Sequence, residues 1–156
     1  MTRSGIGYDI HRLAADRRLV LGGVAIEHPM GLVGHSDGDV LLHALMDALL
    51  GAANLGDIGR HFPSDDPAYA GAKSTELARK VGSLVRERGF TVTSLDATVI
   101  AQAPRLAPHV PAMREAIAKA LDVGIDRVSV KATTNDGLGI VGAGEAIAAL
   151  AIAQLD

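Results

Sequence analysis

His35-Ser36-Asp37-Gly38-Asp39-Val40-Leu41-Leu42-His43 leads into the stretch that decides how this chain folds. Ser36 or Asp37 can cap a helix that runs on to about Ala53. Leu41, Leu45, Ala48, Leu49 and Ala52 form its main apolar stripe, and Val40, Leu42 and Leu50 make it apolar nearly all round. Asp39, His43 and Asp47, spaced by four, give it one polar stripe. A helix buried on most sides with an acid-imidazole-acid stripe is placed to face a site rather than bulk water.

Upstream, Ile6 to Ile10 reads as a short strand. Residues two apart in a strand point to the same side, so Asp9 and His11 can present a carboxylate and an imidazole to one point. A lone histidine on an apolar face is usually a satisfied core residue. His43 differs, because acids share its stripe and an Asp-x-His pair stands elsewhere. Oxygen and nitrogen donors of this kind suit Zn2+ or a similar divalent ion, and three protein ligands leave a fourth position open, as catalytic zinc requires. With no cysteine in the chain, zinc has no thiolate alternative. His28, His61 and His109 lack such company, and His109 reads as a surface loop residue.

Between these segments, Arg18-Leu19-Val20-Leu21, Gly22-Gly23 and Val24-Ala25-Ile26-Glu27 form a β-hairpin through a Gly-Gly turn. Asn54 to Gly71 is loop-like, punctuated by glycine and proline. A second helix starts near Ser74 and ends at Gly89, with Leu77, Val81, Leu84 and Val85 inward. Phe90 to Gln102 alternates as a strand, Val110 to Leu121 forms a third helix, and Val128 to Ala132 another strand. The tail from Glu145 to Leu155 is ambiguous: its alanines favour helix, but its alternation suits a strand. Gly137 to Gly144 is glycine-rich with neither Rossmann nor P-loop spacing, and reads as tight backbone packing.

Composition narrows the function classes. The 156 residues fit one domain spanning 1–156. Apolar residues make up 48% but aromatics only 3%, so small side chains build the core and a subunit interface is expected to bury part of the apolar surface. A net charge of −3 without a basic run argues against nucleic acid, as does the shortage of stacking aromatics. No apolar stretch is long enough to span a membrane. Met1-Thr2-Arg3-Ser4 runs straight into a strand without a signal or transit segment, and a cytoplasmic location is expected.

Gly7-Tyr8-Asp9-Ile10-His11, the run from His35 through Gly59, Ala101-Gln102-Ala103-Pro104-Arg105 and Lys131-Ala132-Thr133-Thr134 resemble the 2-C-methyl-D-erythritol 2,4-cyclodiphosphate synthase family. The resemblance covers essentially the whole chain in order. It implies an α/β (α+β) subunit with a four-stranded sheet and helices on one face, ferredoxin-like or chorismate-mutase-like, in a homotrimer with active sites shared between neighbouring chains. The tail would then be a strand.

The implied reaction belongs to the non-mevalonate isoprenoid pathway. The 2-phosphate of 4-diphosphocytidyl-2-C-methyl-D-erythritol 2-phosphate attacks its own β-phosphorus, closing a cyclic diphosphate and expelling CMP. By similarity Asp9, His11 and His43 hold Zn2+ or another divalent ion. His35 and Thr134 orient phosphate, with Ser36 as a further donor. Asp136 holds Mg2+ or Mn2+ between the phosphates. Asp57 and Gly59 face the sugar-like part, and Phe62 to Asp66 the methylerythritol side. Ala101, Gln102, Ala103, Pro104, Arg105, Leu106 and Ala107, with Thr133, form the cytosine pocket. Three features depart from the family's commoner pattern. Asp136 replaces a frequent Glu, Ser64 a frequent Asp, and Ile140 and Ala143 a Phe and an Arg that line a central cavity in some relatives. The rival readings are a metal-dependent phosphohydrolase and a non-enzymatic trimer that binds nucleotide or metal.

Overall fold

Gly5-Ile6-Gly7-Tyr8-Asp9-Ile10-His11 alternates small or polar residues with apolar ones. In the structure, a computed structural model describing residues 1–156, it lies inside a long strand, β1 (Arg3–Ala15). Three short strands follow: β2 (Leu19–Leu21), β3 (Val24–Ile26) and β4 (Met30–Leu32). The rest of the chain is α1 (Val40–Ala52), α2 (Ile58–His61), α3 (Ser74–Glu87), β5 (Val92–Ile100), α4 (Val110–Leu121), β6 (Val128–Thr133), α5 (Gly139–Gly142) and β7 (Ala146–Leu155).

The main sheet has five strands in the order β4-β1-β7-β5-β6, and only the β5–β6 pair is parallel. Four strands were expected. The fifth, β4, is three residues that pair with the far end of β1 at Leu13, Ala14 and Ala15. It is too short for an alternation to announce it. The tail is a strand despite its alanines, because β7 sits centrally and its backbone is paired with β1 on one side and β5 on the other. Two complete ladders outweigh a local helix preference worth tenths of a kcal/mol per residue.

All the long helices cover one face of the sheet. α1 packs on β1 and β7, α3 packs beside α1, and α4 packs against α3 and β6. Every residue of α1 except Asp47 and Gly51 is buried, as its all-round apolar surface requires. Gly5 and Gly7 let it lie almost on the strand. A Cβ at Gly7 would stand 1.9 Å from the Ala44 carbonyl oxygen, and one at Gly5 would stand 2.1 Å from that of Ala48. The opposite face carries no long helix and is apolar along β1 and β7, where Ile6 is 69% exposed, Tyr8 56% and Ile152 47%. No helix is long and apolar enough to cross a membrane.

The cap of α1 is Asp39, later in the chain than the Ser36 or Asp37 expected. Its carboxylate accepts from the Leu42 N–H at 3.1 Å and from the N–H groups of Gly22 and Gly23 at 2.9 and 2.7 Å. Those glycines hold φ of 58° and 76° in the hairpin turn. Asp39 therefore ties the β2–β3 hairpin to the start of α1. It is completely buried, and desolvation pushes its carboxyl up to about 6, with the three backbone donors pulling against that and Asp37 adding repulsion.

Candidate metal centre and substrate cavities

Strand alternation carries Asp9 and His11 onto the helix-covered face, in line with Gly5 and Gly7 and just beyond them. His43, on the first turn of α1, meets them there. Asp9 Oδ2 lies 2.8 Å from His11 Nε2 and 3.0 Å from His43 Nδ1, and the two ring nitrogens are 3.1 Å apart. Three donor atoms from three side chains thus converge on one point, as the spacing predicted.

Each ligand has a second partner. The Ile10 N–H donates to Asp9 Oδ1 at 2.9 Å. His11 Nδ1 donates to the Val33 carbonyl at 2.7 Å, which leaves the Nε2 lone pair free. His43 Nε2 lies 3.1 Å from both Ser36 Oγ and Ser74 Oγ. The set fits a divalent ion such as zinc: one carboxylate oxygen, two imidazole nitrogens and supported outer nitrogens. Burial alone would raise the Asp9 carboxyl, but the hydrogen bonds and charge of His11 and His43 outweigh it and hold Asp9 well below the usual carboxylate range. Burial would likewise lower His11, and Asp9 overcomes it to raise that ring's pKa.

The polar stripe of α1 is divided among three tasks. Asp39 caps, His43 joins the metal cluster, and Asp47 accepts from the Ile58 N–H at 2.8 Å. This last bond pins the segment after α1. That segment contains α2 and a 3-10 turn at Pro67–Tyr69, where a plain loop was expected. Asp57 and Asp66 supply their caps, accepting from Arg60 N and Ala68 N, and so the local order comes from side chains that compositional reading counts only as charge.

The metal cluster forms part of a cavity of about 230 Å3, whose lining includes His35, Ser36, Gly59, Phe62 and Tyr69. His35 Nε2 donates to the Asp66 carbonyl at 3.0 Å, which ties it to the Phe62–Asp66 segment. A second cavity of about 240 Å3 is lined by Ala101, Gln102, Pro104, Arg105, Leu106 and Ala107 together with Thr133 and Thr134. Asp57, Asp66, Ala103 and Asp136 line neither cavity. Asp136 instead adjoins the second through Thr134, whose Oγ1 donates to its carboxylate at 3.3 Å. Sequence reasoning missed Ser74 and misplaced Asp37. Ser74 lies immediately behind His43 and Asp37 behind Ser74, and only their tertiary placement reveals them.

The two cavities do not meet within one chain. Asp9 is level with Ala149 and Val99 on the helix-covered face, whereas Thr133 pairs with Ile100 on the opposite face. Three strand-to-strand steps separate β1 from β6, roughly 14 Å along the sheet.

The YgbB family model matches residues 2–156. The 2-C-methyl-D-erythritol 2,4-cyclodiphosphate synthase of Alkaliphilus oremlandii is 58% identical over 153 residues, covering 98% of both chains. A solved 2C-methyl-D-erythritol-2,4-cyclodiphosphate synthase in its CDP-bound form is 38% identical, with a TM-score of 0.90 over 99% of this chain and 100% of that one. The bifunctional IspDF of Campylobacter jejuni is 44% identical with a TM-score of 0.96. The match covers 99% of this chain and 42% of that longer one.

Proposed function

We infer the function from one premise: the chain belongs to the YgbB family, and it catalyses the cyclodiphosphate synthase reaction that its relatives are named for. In this reaction an oxygen of the substrate's 2-phosphate forms a bond to the β-phosphorus. The bond from that phosphorus to the bridging oxygen breaks, and CMP leaves with the electron pair. The observation that carries the reading is the convergence of Asp9, His11 and His43 at the floor of a cavity.

The residue set suits this chemistry. A phosphate monoester is already largely dianionic at neutral pH, its second pKa lying near ~6, so no strong base is required. Placement and charge neutralisation are required. Asp9, His11 and His43 would hold a divalent ion, which we assign as zinc and which would supply Lewis-acid chemistry at the phosphates. His35, steadied by the Asp66 carbonyl, and Ser36 orient the phosphates at that end. Thr134 orients them from the other end, and Asp136 would hold a second divalent ion, Mg2+ or Mn2+, that would neutralise phosphate charge. Gly59 and Phe62 line the sugar-side cavity, with Asp57 and Asp66 at its border. Ala101 to Ala107, with Thr133, receive cytosine through backbone groups.

A complete site then needs two chains, the zinc half from one and the cytosine half from its neighbour. Two observations support this reading. Three strand-to-strand steps separate the two halves within one chain, and the face opposite the long helices presents Ile6, Tyr8, Leu150 and Ile152. A homotrimer packed through that face covers them. Phosphorus NMR with the linear substrate tests the function. Cyclic diphosphate and CMP are expected. An open phosphate product would assign a hydrolase, and unchanged signals a binding protein.

A further inference from the structure

We propose that Asp37 and Ser74 form a relay that sets which nitrogen of His43 carries the proton, and so aims the Nδ1 lone pair at the metal. The proposal rests on the reading of Asp9, His11 and His43 as a metal site.

Ser74 is the first residue of α3 and is completely buried. Its Oγ donates to Asp37 Oδ1, and its backbone N–H donates to Asp37 Oδ2 at 2.9 Å. A hydroxyl has one proton, and a carboxylate only accepts. The Ser74 proton is therefore committed, and only lone pairs remain to face His43 Nε2 at 3.1 Å. Nε2 must carry the hydrogen of that contact. A neutral imidazole protonated at Nε2 has its lone pair at Nδ1, the atom that meets Asp9 and His11.

The two histidines thus use opposite nitrogens and need opposite tautomers. For His11 a backbone carbonyl decides, since it can only accept. For His43 the neighbours are two hydroxyls, which can donate or accept. The Ser36 hydroxyl is bound to no carboxylate and can adapt to either tautomer. The Ser74 hydroxyl cannot, because Asp37 holds its proton. Asp37 is thus a positioning residue that acts on the metal site through Ser74, without touching a ligand.

The plainer account is that Asp37 only caps α3 through the Ser74 backbone. Ser74→Ala separates the two, since it keeps that N–H and removes the hydroxyl. Zinc affinity of the full-length protein, measured by chelator competition, is the readout, with thermal unfolding of the metal-free form as a control. Loss of a supporting partner should weaken zinc roughly ten- to a hundred-fold in Ser74→Ala. Asp37→Asn should weaken it comparably, because an amide NH2 facing Ser74 frees the hydroxyl to donate to Nε2. The double variant should bind zinc no worse than Ser74→Ala alone, since Asp37 has no route to the metal without Ser74.

Losses that multiply in the double variant would overturn the relay. So would wild-type zinc affinity in Ser74→Ala. A wild-type protein that takes up no zinc would instead break the metal reading itself, and this proposal with it.

Discussion

The β1–α1 end and the β6 end of the molecule, the two halves of the proposed site, are built differently. At the first, Asp9, His11 and His43 each have a second hydrogen-bond partner, the Ile10 N–H, the Val33 carbonyl and the buried Ser74 hydroxyl. At the second, every residue from Lys131 to Ile140 is exposed, and the Thr134–Asp136 contacts are long, at 3.2 and 3.3 Å. The Asp9–His11–His43 cluster is preorganised within one chain, whereas the segment from Lys131 to Ile140 has few contacts to hold it.

The largest test removes the ordered half. His43→Ala should lose its zinc and at least about a thousandfold in turnover, the equivalent of the several kcal/mol of charge stabilisation a metal supplies. Metal analysis beside an activity assay checks this, and equal zinc in both proteins would sink the assignment. Refolding His43→Ala together with a Thr133/Thr134 double-alanine variant tests the division itself. Random trimers would pair two intact halves in about a quarter of their sites, and activity should reappear. Mixed trimers that form, as seen by mass spectrometry, yet remain dead would place both halves in one chain.

A third test concerns what the ordered half rests on. Asp39 holds its proton more tightly folded, at about 6, than unfolded, at 3.8, so its contribution to stability is lost as pH rises between those values. Relative to Asp39→Asn, which cannot titrate, the metal-free protein should lose about 2 kcal/mol between pH 4 and 6.5. Urea unfolding with a chelator present measures it, and parallel pH curves would show that the carboxylate is already ionised below pH 4. The smallest effect is expected at the exposed half. Asp136→Asn should lower turnover roughly tenfold and raise the Mg2+ or Mn2+ requirement while leaving zinc in place, since an amide is a weaker ligand for a hard cation. An unchanged ion dependence would put the second metal elsewhere.

The same contrast governs what could be read in advance. Asp9 and His11 were legible as a pair from the strand period and His43 from its acid-flanked helix stripe, and the family resemblance joined the three. The hairpin at Gly22-Gly23 and the helix Val110–Leu121 were legible from local turn and helix chemistry. The cap role of Asp39 was not, because two of its three donors lie in the hairpin, more than a dozen residues upstream. Asp37 and Ser74, 37 residues apart, form a pair that no period encodes. β4 and β7 depend on their neighbours' ladders, and an alanine-rich tail says little about which strands will flank it.

Gly7 has a consequence that reaches past packing. With the Ala44 carbonyl 1.9 Å from where a Cβ would stand, the strand and helix touch backbone to backbone two residues from Asp9 and one from His43. That contact acts as a gauge block: its thickness is the gap across which carboxylate and imidazole must grip an ion. A single methyl at Gly7 would wedge the gap wider by a sizeable fraction of a metal–ligand bond. The fold has other apolar contacts to absorb the shift, but the coordination sphere has none.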